Sequence, residues 1–371
     1  MFSSNVIQRP DNPFPTVPAV RYSVVIPTIG RPVALGKCLH ALSLQRTGDG
    51  AFEVIVVLDG PDPASRAVVH EAAQTHPRLN ARLIESERLG NAHTKNLGLR
   101  AARGELAVFL NDDVEPAPGF LAAHGRVHES RDGHAAMVLG WSPWVEHRPE
   151  SLLDRLVRTT SMIFFYDRMI DVGGTPTRSR GHDWGFRHCW TLNLSVRRAL
   201  ALEAGGFLAP LANCCYEDVE FGHRFTHRFD APVLFEPDAV APHDHRYTPG
   251  AYLQREFRLG YSAFGLAHHA PACGREIFGA DLKSPESLEY ARRFVDHEAR
   301  NEPASRAAFE RLGQMPGTAI DGPHADDLRQ SLFTQHVLLK RLSFRRGLLA
   351  AAAGERAEGL HPHDMFAAAV L

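Results

Sequence analysis

Strand-length apolar runs alternate with helical apolar spacing over the first third of the chain. Four short apolar runs are predicted to be buried strands, at residues 23–27, 52–58, 81–84 and 106–110. Between them, apolar residues recur at helical spacing in three segments, at residues 33–44, 64–75 and 92–102. Alternation of this kind is typical of α/β proteins. The sequence therefore predicts a Rossmann-like, mostly parallel sheet flanked by helices.

The pattern changes further along the chain. More strands and helices are predicted up to about residue 235, but residues 172–188 are rich in Gly, Arg and Ser. That composition fits either a mobile loop over a site or an ordinary surface loop. Beyond residue 249 only helical spacing remains. We expect an extended, Pro-rich arm at residues 1–20, an α/β domain at 21–248 and a C-terminal helical region at 249–371.

Composition and charge narrow the class of protein. The 371 residues are 44% hydrophobic and 23% charged, as in ordinary globular proteins, and the net charge is −2. This balance predicts no general affinity for nucleic acid. No apolar run approaches the roughly 20 residues that span a bilayer, and the N-terminus lacks signal-peptide features. The five cysteines show no CxxC spacing, so we expect a cytoplasmic protein without a disulfide framework.

An apolar strand ends abruptly in polar residues at positions 108–114. Asn111, Asp112 and Asp113 follow the run directly. In open α/β sheets, ligands bind outside the carboxyl ends of the strands. Carboxylate oxygens placed there suit Mg²⁺ or Mn²⁺, which commonly bridge protein carboxylates and substrate phosphates. A solvated turn is the alternative interpretation of this run.

Two features after the neighbouring strands suggest a nucleotide. Asp59 ends the second predicted strand, where its carboxylate could accept a hydrogen bond from a nucleobase, or simply from its own turn. Gly90 and Asn91 open the third helix, whose N-terminus tolerates a close phosphate. Ordinary helix capping explains Asn91 equally well.

Acidic and histidine residues later in the chain could complete a catalytic site. Glu217 and Asp218 lie on the first turn of a predicted helix. One of them could be a general base, although acids there also complement the helix dipole. His243 and His245 follow the last predicted strand. They could complete a metal site begun by carboxylates, or be structural or surface residues.

Seven motifs occur in a characteristic order. They are PTIGR at 27–31, VVLDG at 56–60, GNAHTKNLG at 90–98, FLNDDV at 109–114, TLNLSVRRALALEAGGF at 191–207, EDVEFGHRF at 217–225 and PHDH at 242–245. In sequence and spacing they resemble the family 2 glycosyltransferases, which have the A-type nucleotide-sugar-binding fold. The resemblance implies that residues 21–248 form a catalytic domain binding a nucleotide-diphosphate sugar. UDP is the default nucleotide because it is the most frequent in that family.

The resemblance also assigns roles to residues. The nucleotide site is implied to comprise Pro27, Thr28, Arg31, Asp59, Gly90, Asn91, Asn96, Asn111 and Asp112. Asn111 stands where the family's Asp-x-Asp motif has its first Asp, which leaves Asp113 as the principal metal ligand. Asp112 would face the sugar or its ribose. His243 or His245 would add a late metal contact, with His243 the first choice, and the ion would be Mn²⁺ or Mg²⁺.

Inverting transfer to an acceptor hydroxyl is the implied reaction. Residues 193–207 correspond to the acceptor side, and Glu217 and Asp218 to the acid pair, with Asp218 as the base. The acceptor would be a carbohydrate or glycolipid in surface polysaccharide or glycolipid synthesis. Residues 172–188 would close over the donor and exclude water.

Other functions are less well supported by the motifs. A nucleotidyltransferase would carry a Gly-rich, basic loop after the first strand, whereas residues 27–31 contain one Gly. A dinucleotide-dependent oxidoreductase would need GxGxxG after a strand. A non-catalytic carbohydrate-binding or scaffold protein on the same fold stays open.

The C-terminal helices carry the least functional information. Basic pairs at 340–341 and 345–346 lie beside leucines, which fits a peripheral contact with the inner membrane face or a solvated helix with one buried face. The region could also form a homodimer interface.

Overall fold

The computed structural model describes residues 20–47, 51–171, 173–211 and 215–355. The arm predicted at residues 1–20 lies outside the described residues apart from its last position, as do residue 172 of the predicted loop and Cys214. Strands in the described part are β1 (Val20–Thr28), β2 (Ala51–Asp59), β3 (Ala81–Ser86), β4 (Leu106–Leu110), β5 (Met137–Trp141), β6 (Asn193–Arg197) and β7 (Val233–Val240).

Twelve α-helices accompany these strands within the described residues. The first seven are α1 (Pro32–Ser43), α2 (Pro63–Thr75), α3 (Asn91–Ala101), α4 (Phe120–Ser130), α5 (Leu152–Thr159), α6 (Arg198–Glu203) and α7 (Glu217–Phe229). The other five are α8 (Pro249–His269), α9 (Pro271–Phe278), α10 (Pro285–Glu298), α11 (Glu302–Leu312) and α12 (Ala325–Ala352). Beyond β7 the described chain is helical, as the sequence predicts.

The seven strands form one sheet in the order β3-β2-β1-β4-β6-β5-β7. Strand β1 runs parallel to β2 and β4, β2 runs parallel to β3, and β5 runs parallel to β7. Strand β6 is antiparallel to both of its neighbours. The predicted fold class, a mostly parallel sheet flanked by helices, is confirmed.

Strand β4 lies at the centre of this sheet and is buried throughout. Its five residues are apolar because both faces of this central strand are buried. Polar residues begin only where the strand ends, at Asn111. The sheet therefore brings the ends of β1, β2 and β4 to one edge, where the predicted site residues lie.

The C-terminal helices pack closely on one another. A Cβ atom added to Gly260 of α8 would lie 1.7 Å from the carbonyl oxygen of Phe344 in α12, so the two backbones are in direct contact. A second apolar cluster joins these helices to α5. It includes Leu153, Leu156, Tyr252, Leu253, Phe309 and Leu339.

One of the two basic pairs of α12, at residues 345–346, makes contacts within the molecule. Leu339 and Leu342 beside the two pairs are buried. The Arg345 guanidinium lies 4.2 Å from the centre of the Phe294 ring, and Arg346 pairs with Glu302. Among the helices of the described residues, none has the length and apolar character that crossing a membrane requires.

Candidate active site

Two aspartates after β4 meet the end of β1. Asp112 is fully buried, and it accepts a hydrogen bond from the Thr28 hydroxyl at 2.5 Å and another from Arg31. Arg31 also donates to Asp113 Oδ2 at 2.7 Å. One guanidinium therefore holds both carboxylates, and the structure brings these four predicted residues together.

The two histidines lie beside Asp113. His243 Nε2 is 3.3 Å and His245 Nδ1 is 3.7 Å from Asp113 Oδ2. The backbone fixes this arrangement, since the Asp244 N–H donates to the Asp113 carbonyl at 2.8 Å. The Trp144 ring packs over His243 with 4.4 Å between ring centres.

Asp113 has the features of a metal ligand. Its second carboxylate oxygen is buried and has no hydrogen-bond partner among the described residues. Burial alone would raise the pKa of Asp113, but Arg31 and His243 outweigh it and hold the pKa well below its usual range. The carboxylate is therefore charged at neutral pH. Asp113, His243 and His245 form a donor set that fits a divalent cation.

His245 is neutral in this environment. Burial lowers its pKa to about 3, against the opposing influence of Asp113. A neutral imidazole has a nitrogen lone pair available for a metal. The electrostatics are therefore compatible with His245 in the predicted metal contact.

Asp59 holds the start of α3. One oxygen of its buried carboxylate accepts hydrogen bonds from the backbone N–H groups of Leu89 and Gly90, at 2.9 and 2.8 Å. This fixes the turn from which Asn91 begins α3. The turn that these bonds fix lies 30 residues further along the chain rather than directly after Asp59. A contact between Asp59 and a nucleobase stays a prediction.

Asn96 is placed differently from the other predicted donor residues. Its amide donates to the Phe207 carbonyl at 2.7 Å and accepts from the Phe207 N–H at 2.8 Å. Both polar atoms of the Asn96 amide are therefore hydrogen-bonded to the backbone of the segment after α6. Asn96 links α3 to the predicted acceptor-side region, and it is not drawn into the cluster around Asp112.

The two other donor-site positions lie at the ends of strands. Pro27 is part of β1 and is paired with Val57 of β2. Asn111 follows β4, and its N–H donates to the Leu192 carbonyl at 3.2 Å, just before β6. Both residues therefore lie at the edge that carries Asp112 and Asp113.

Glu217 and Asp218 have distinct environments at the start of α7. Glu217 is buried and lies 2.7 Å from the ammonium group of Lys95. Asp218 is half-buried and accepts a hydrogen bond from the Val219 N–H at 2.7 Å. Burial raises the pKa of Asp218 to about 7, the negative charge of Glu217 adds to this shift, and Lys95 opposes it.

Lys95 is a residue of the candidate site that the sequence interpretation missed. Its buried ammonium group donates to Glu217 and, at 2.6 Å, to the Thr191 hydroxyl. Thr191 precedes Leu192, which bonds to Asn111. Lys95 therefore connects the acid pair to the edge of the sheet. A signal was present, because Lys95 lies three residues after Ala92 on the apolar face of α3.

Comparisons with known proteins identify the family of the N-terminal part of the chain. Residues 23–187 match the model of the family "Glycosyl transferase family 2". Validoxylamine A glucosyltransferase of Streptomyces hygroscopicus subsp. limoneus is 28% identical over 242 residues, covering 61% of this chain and 52% of that protein. The uncharacterized glycosyltransferase YfnE of Bacillus subtilis (strain 168) is 25% identical over 257 residues, covering 60% and 64%. The chain thus spans between half and two thirds of these relatives' length.

A solved structure shares the fold. It is the mannosyltransferase PcManGT from Pyrobaculum calidifontis in complex with GDP-Man and Mn²⁺, with a TM-score of 0.52, 19% identity, and coverage of 92% of this chain and 89% of that chain. The predicted A-type fold is confirmed. Family match, curated relatives and fold agree with the motif order found in the sequence. Residues 23–187 therefore form a domain of the glycosyl transferase family 2.

Proposed function

We propose that this chain transfers a sugar from a nucleotide-diphosphate sugar to an acceptor hydroxyl, with inversion at the anomeric carbon. The observation that carries the proposal is the cluster of Asp112, Asp113, His243 and His245 at the carboxyl edge of the sheet, the two aspartates lying within the family 2 domain. An acid pair lies near the same edge through the contacts of Lys95. Together these groups supply the parts that such a transfer requires.

The metal site is the first group that the proposed transfer requires. Asp113, His243 and His245 would hold Mn²⁺ or Mg²⁺, and the unpartnered buried oxygen of Asp113 supports this assignment. When bound, the ion offsets the negative charge that develops on the diphosphate leaving group. Arg31 contributes a second positive charge beside the two aspartates. Thr28 keeps Asp112 oriented toward the donor.

The base is the second part. Asp218 accepts the proton of the acceptor hydroxyl as this oxygen attacks the anomeric carbon. A pKa near 7 suits that role, because about half of the carboxylate is ionised at neutral pH and it is basic enough to take a proton. Glu217 stays paired with Lys95 and fixes the first turn of α7. A single displacement with a single base gives inversion.

Substrates and location belong to this proposal. PcManGT is described with GDP-Man, and another relative, from Campylobacter jejuni, is named GalNAc(5)-diNAcBac-PP-undecaprenol beta-1,3-glucosyltransferase, 30% identical over 115 residues. We propose a UDP-sugar donor and a carbohydrate or glycolipid acceptor in polysaccharide or glycolipid synthesis. The protein would act in the cytoplasm. Closure over the donor by the loop predicted at residues 172–188 is not part of this proposal, because the Trp184 N–H donates to the carbonyl oxygen of Val233 at the start of β7, the end of that strand away from His243.

Isothermal titration with UDP, GDP and dTDP, each with and without Mn²⁺ or Mg²⁺, tests the donor site. We expect one nucleotide to bind in a metal-dependent manner, and Asp113→Asn to abolish that dependence because the principal ligand is lost. Asp296→Asn, an exposed aspartate of α10, is the matched control and should bind as the wild type does. Folded protein that binds none of the three nucleotides would contradict the proposal and favour the scaffold function.

The reaction itself is tested by the released product. Incubation with the matching nucleotide sugar and an acceptor should release a nucleoside diphosphate and form a glycosidic bond of inverted configuration. Release of pyrophosphate from a nucleoside triphosphate and a sugar phosphate would instead identify a nucleotidyltransferase.

A further inference from the structure

A second cluster of potential metal ligands lies on the outer side of α7. His223 and His227 are four residues apart, so both rings project from one face of the helix. Glu276 of α9 lies opposite them. Each residue offers one ligand atom, and these three atoms all lie within 4.8 Å of one another. None of these residues takes part in the site at the sheet edge.

The distances suit a tetrahedral ion. Glu276 Oε2 is 3.0 Å from His223 Nε2 and 3.5 Å from His227 Nε2. Ligands at about 2.0–2.1 Å around tetrahedral Zn²⁺ are separated from one another by roughly 3.3 Å. The side chains therefore need little movement to surround an ion. Two histidines and one glutamate are a known set of protein ligands for zinc.

The tautomer of His227 gives an independent reason to expect a cation. His227 Nδ1 lies 2.8 Å from the backbone carbonyl oxygen of His223. A carbonyl oxygen only accepts hydrogen bonds, so Nδ1 carries the proton and Nε2 has the lone pair when the ring is neutral. That lone pair faces the carboxylate oxygen of Glu276. Two acceptors facing each other need a proton or a metal ion between them.

One side of the cluster packs against the protein, and the other side is exposed to solvent. The Phe186 ring packs edge-on against His223, with 5.0 Å between ring centres. Arg187 donates to the carbonyl oxygens of Glu276 and Ile277, which fixes the end of α9. The side chains of His227 and Glu276 are 56% and 46% exposed. An ion can therefore reach the cluster and keep a water molecule as its fourth ligand.

We propose that His223, His227 and Glu276 form a second divalent-metal site, of the type that binds Zn²⁺, which joins α7 to α9. The site is structural. It lies on the same helix as Glu217 and Asp218 and ties that helix to the C-terminal helical region. Bound metal stabilises the position of α7 against α9, and the proposal does not depend on the reaction proposed above.

Zinc binding to untagged, chelator-treated protein tests the site. The Asp113→Asn variant is used as the background, so that the metal site at the sheet edge does not contribute. We expect one Zn²⁺ to bind per chain and Tm to rise with Zn²⁺ concentration, because an ion that binds only the folded state stabilises it. Co²⁺ should give the intense visible absorption of a tetrahedral site.

His227→Gln in the same background removes one of the three ligands. Affinity should fall on the order of 100-fold or more, since loss of residues that merely orient ligands already costs 10–100-fold. In chelator, the variant should unfold at the temperature of its parent, which separates lost binding from lost folding. His297→Gln is the matched control, because His297 is an exposed helical histidine 3.8 Å from one glutamate.

Two results would overturn the proposal. One is the absence of Zn²⁺ binding and of any change in Tm in the Asp113→Asn protein. The other is Zn²⁺ binding that is equal in the His227→Gln and His297→Gln variants, which would place the ion elsewhere. In either case the contact between α7 and α9 is an ordinary histidine–glutamate pair.

Discussion

Two neighbouring carboxylates at the start of α7 differ because of what surrounds them. Glu217 is buried against the Lys95 ammonium group, which compensates its charge. Asp218 has the Val219 N–H as a hydrogen-bond donor, and its pKa is raised to about 7 by burial and by Glu217. Environments that separate the pKa values of paired acids are a common device for assigning catalytic roles. The local geometry thus favours Asp218 over Glu217 as the base.

The pH dependence of activity should follow Asp218. Below about pH 7, kcat/KM is expected to fall about tenfold per pH unit, because the protonated carboxyl cannot accept the acceptor's proton. Glu217→Gln should shift this decrease in kcat/KM to lower pH, since a negative charge that raises the pKa of Asp218 is removed. Asp218→Asn should lower kcat by about 10²–10⁴-fold.

Initial rates measured across pH 5–9 with saturating metal check this expectation. Glu203→Gln, an acid of α6 paired with Arg228 at the surface, is the control and should keep the wild-type profile. An unchanged profile in Glu217→Gln, or a fully active Asp218→Asn, would show that another group is the base.

Helix α3 is the element on which the position of several site residues depends. It carries Asn91, Lys95 and Asn96, and it packs on the sheet at Gly98. A Cβ atom at Gly98 would lie 2.3 Å from Val25 Cγ1 of β1. The glycine therefore allows the helix to approach the strand closely.

Gly98→Ala should shift or strain this helix. Overpacking of this kind typically costs about 1–3 kcal/mol in the free energy of unfolding, and nucleotide binding should weaken as well. Gly36→Ala in α1 is the control, because its Cβ would lie 3.6 Å from Val68 Cγ1, an ordinary contact. Alanine there should stabilise the fold by about 0.5–1 kcal/mol. Denaturant unfolding measures the free energy of unfolding of both variants. Equal changes in Gly98→Ala and Gly36→Ala would contradict the close packing of α3 against β1 at Gly98.

The elements show how far the sequence could predict this molecule. Strand β4 was predictable because five buried apolar residues end in a polar run, and that run marks the site. The antiparallel direction of β6 could not be predicted, since nothing in its residues encodes which neighbour it pairs with. The contact of Lys95 with Glu217 joins residues 122 positions apart, so it depends on how the helices pack.

At the scale of the whole molecule, a buried polar network ties α4 to β6. Ser195 Oγ lies 2.8 Å from His124 Nδ1 and 2.9 Å from His128 Nε2, and Asn193 Oδ1 lies 2.9 Å from His124 Nε2. Burial lowers the pKa of His124 to about 4 and that of His128 to about 3. Both rings are therefore neutral in the folded protein at neutral pH.

These histidines should make the protein acid-labile. Above about pH 6.5 they are neutral in both states. Below about pH 6.5 both histidines become protonated in the unfolded chain. In the folded protein they stay neutral until about pH 4 for His124 and about pH 3 for His128. The free energy of unfolding should therefore decrease, by up to about 1.4 kcal/mol per pH unit for each histidine.

Urea unfolding between pH 7.5 and 4.5 measures this slope. His128→Gln removes one of the two titrating rings while its amide can still bond to Ser195, so the slope should decrease by roughly the contribution of one proton. His134→Gln, at an exposed position just after α4, should leave the slope unchanged. An equal decrease in the free energy of unfolding of His128→Gln and the wild type on acidification would contradict this prediction. The acid lability would then not arise from protonation of this network.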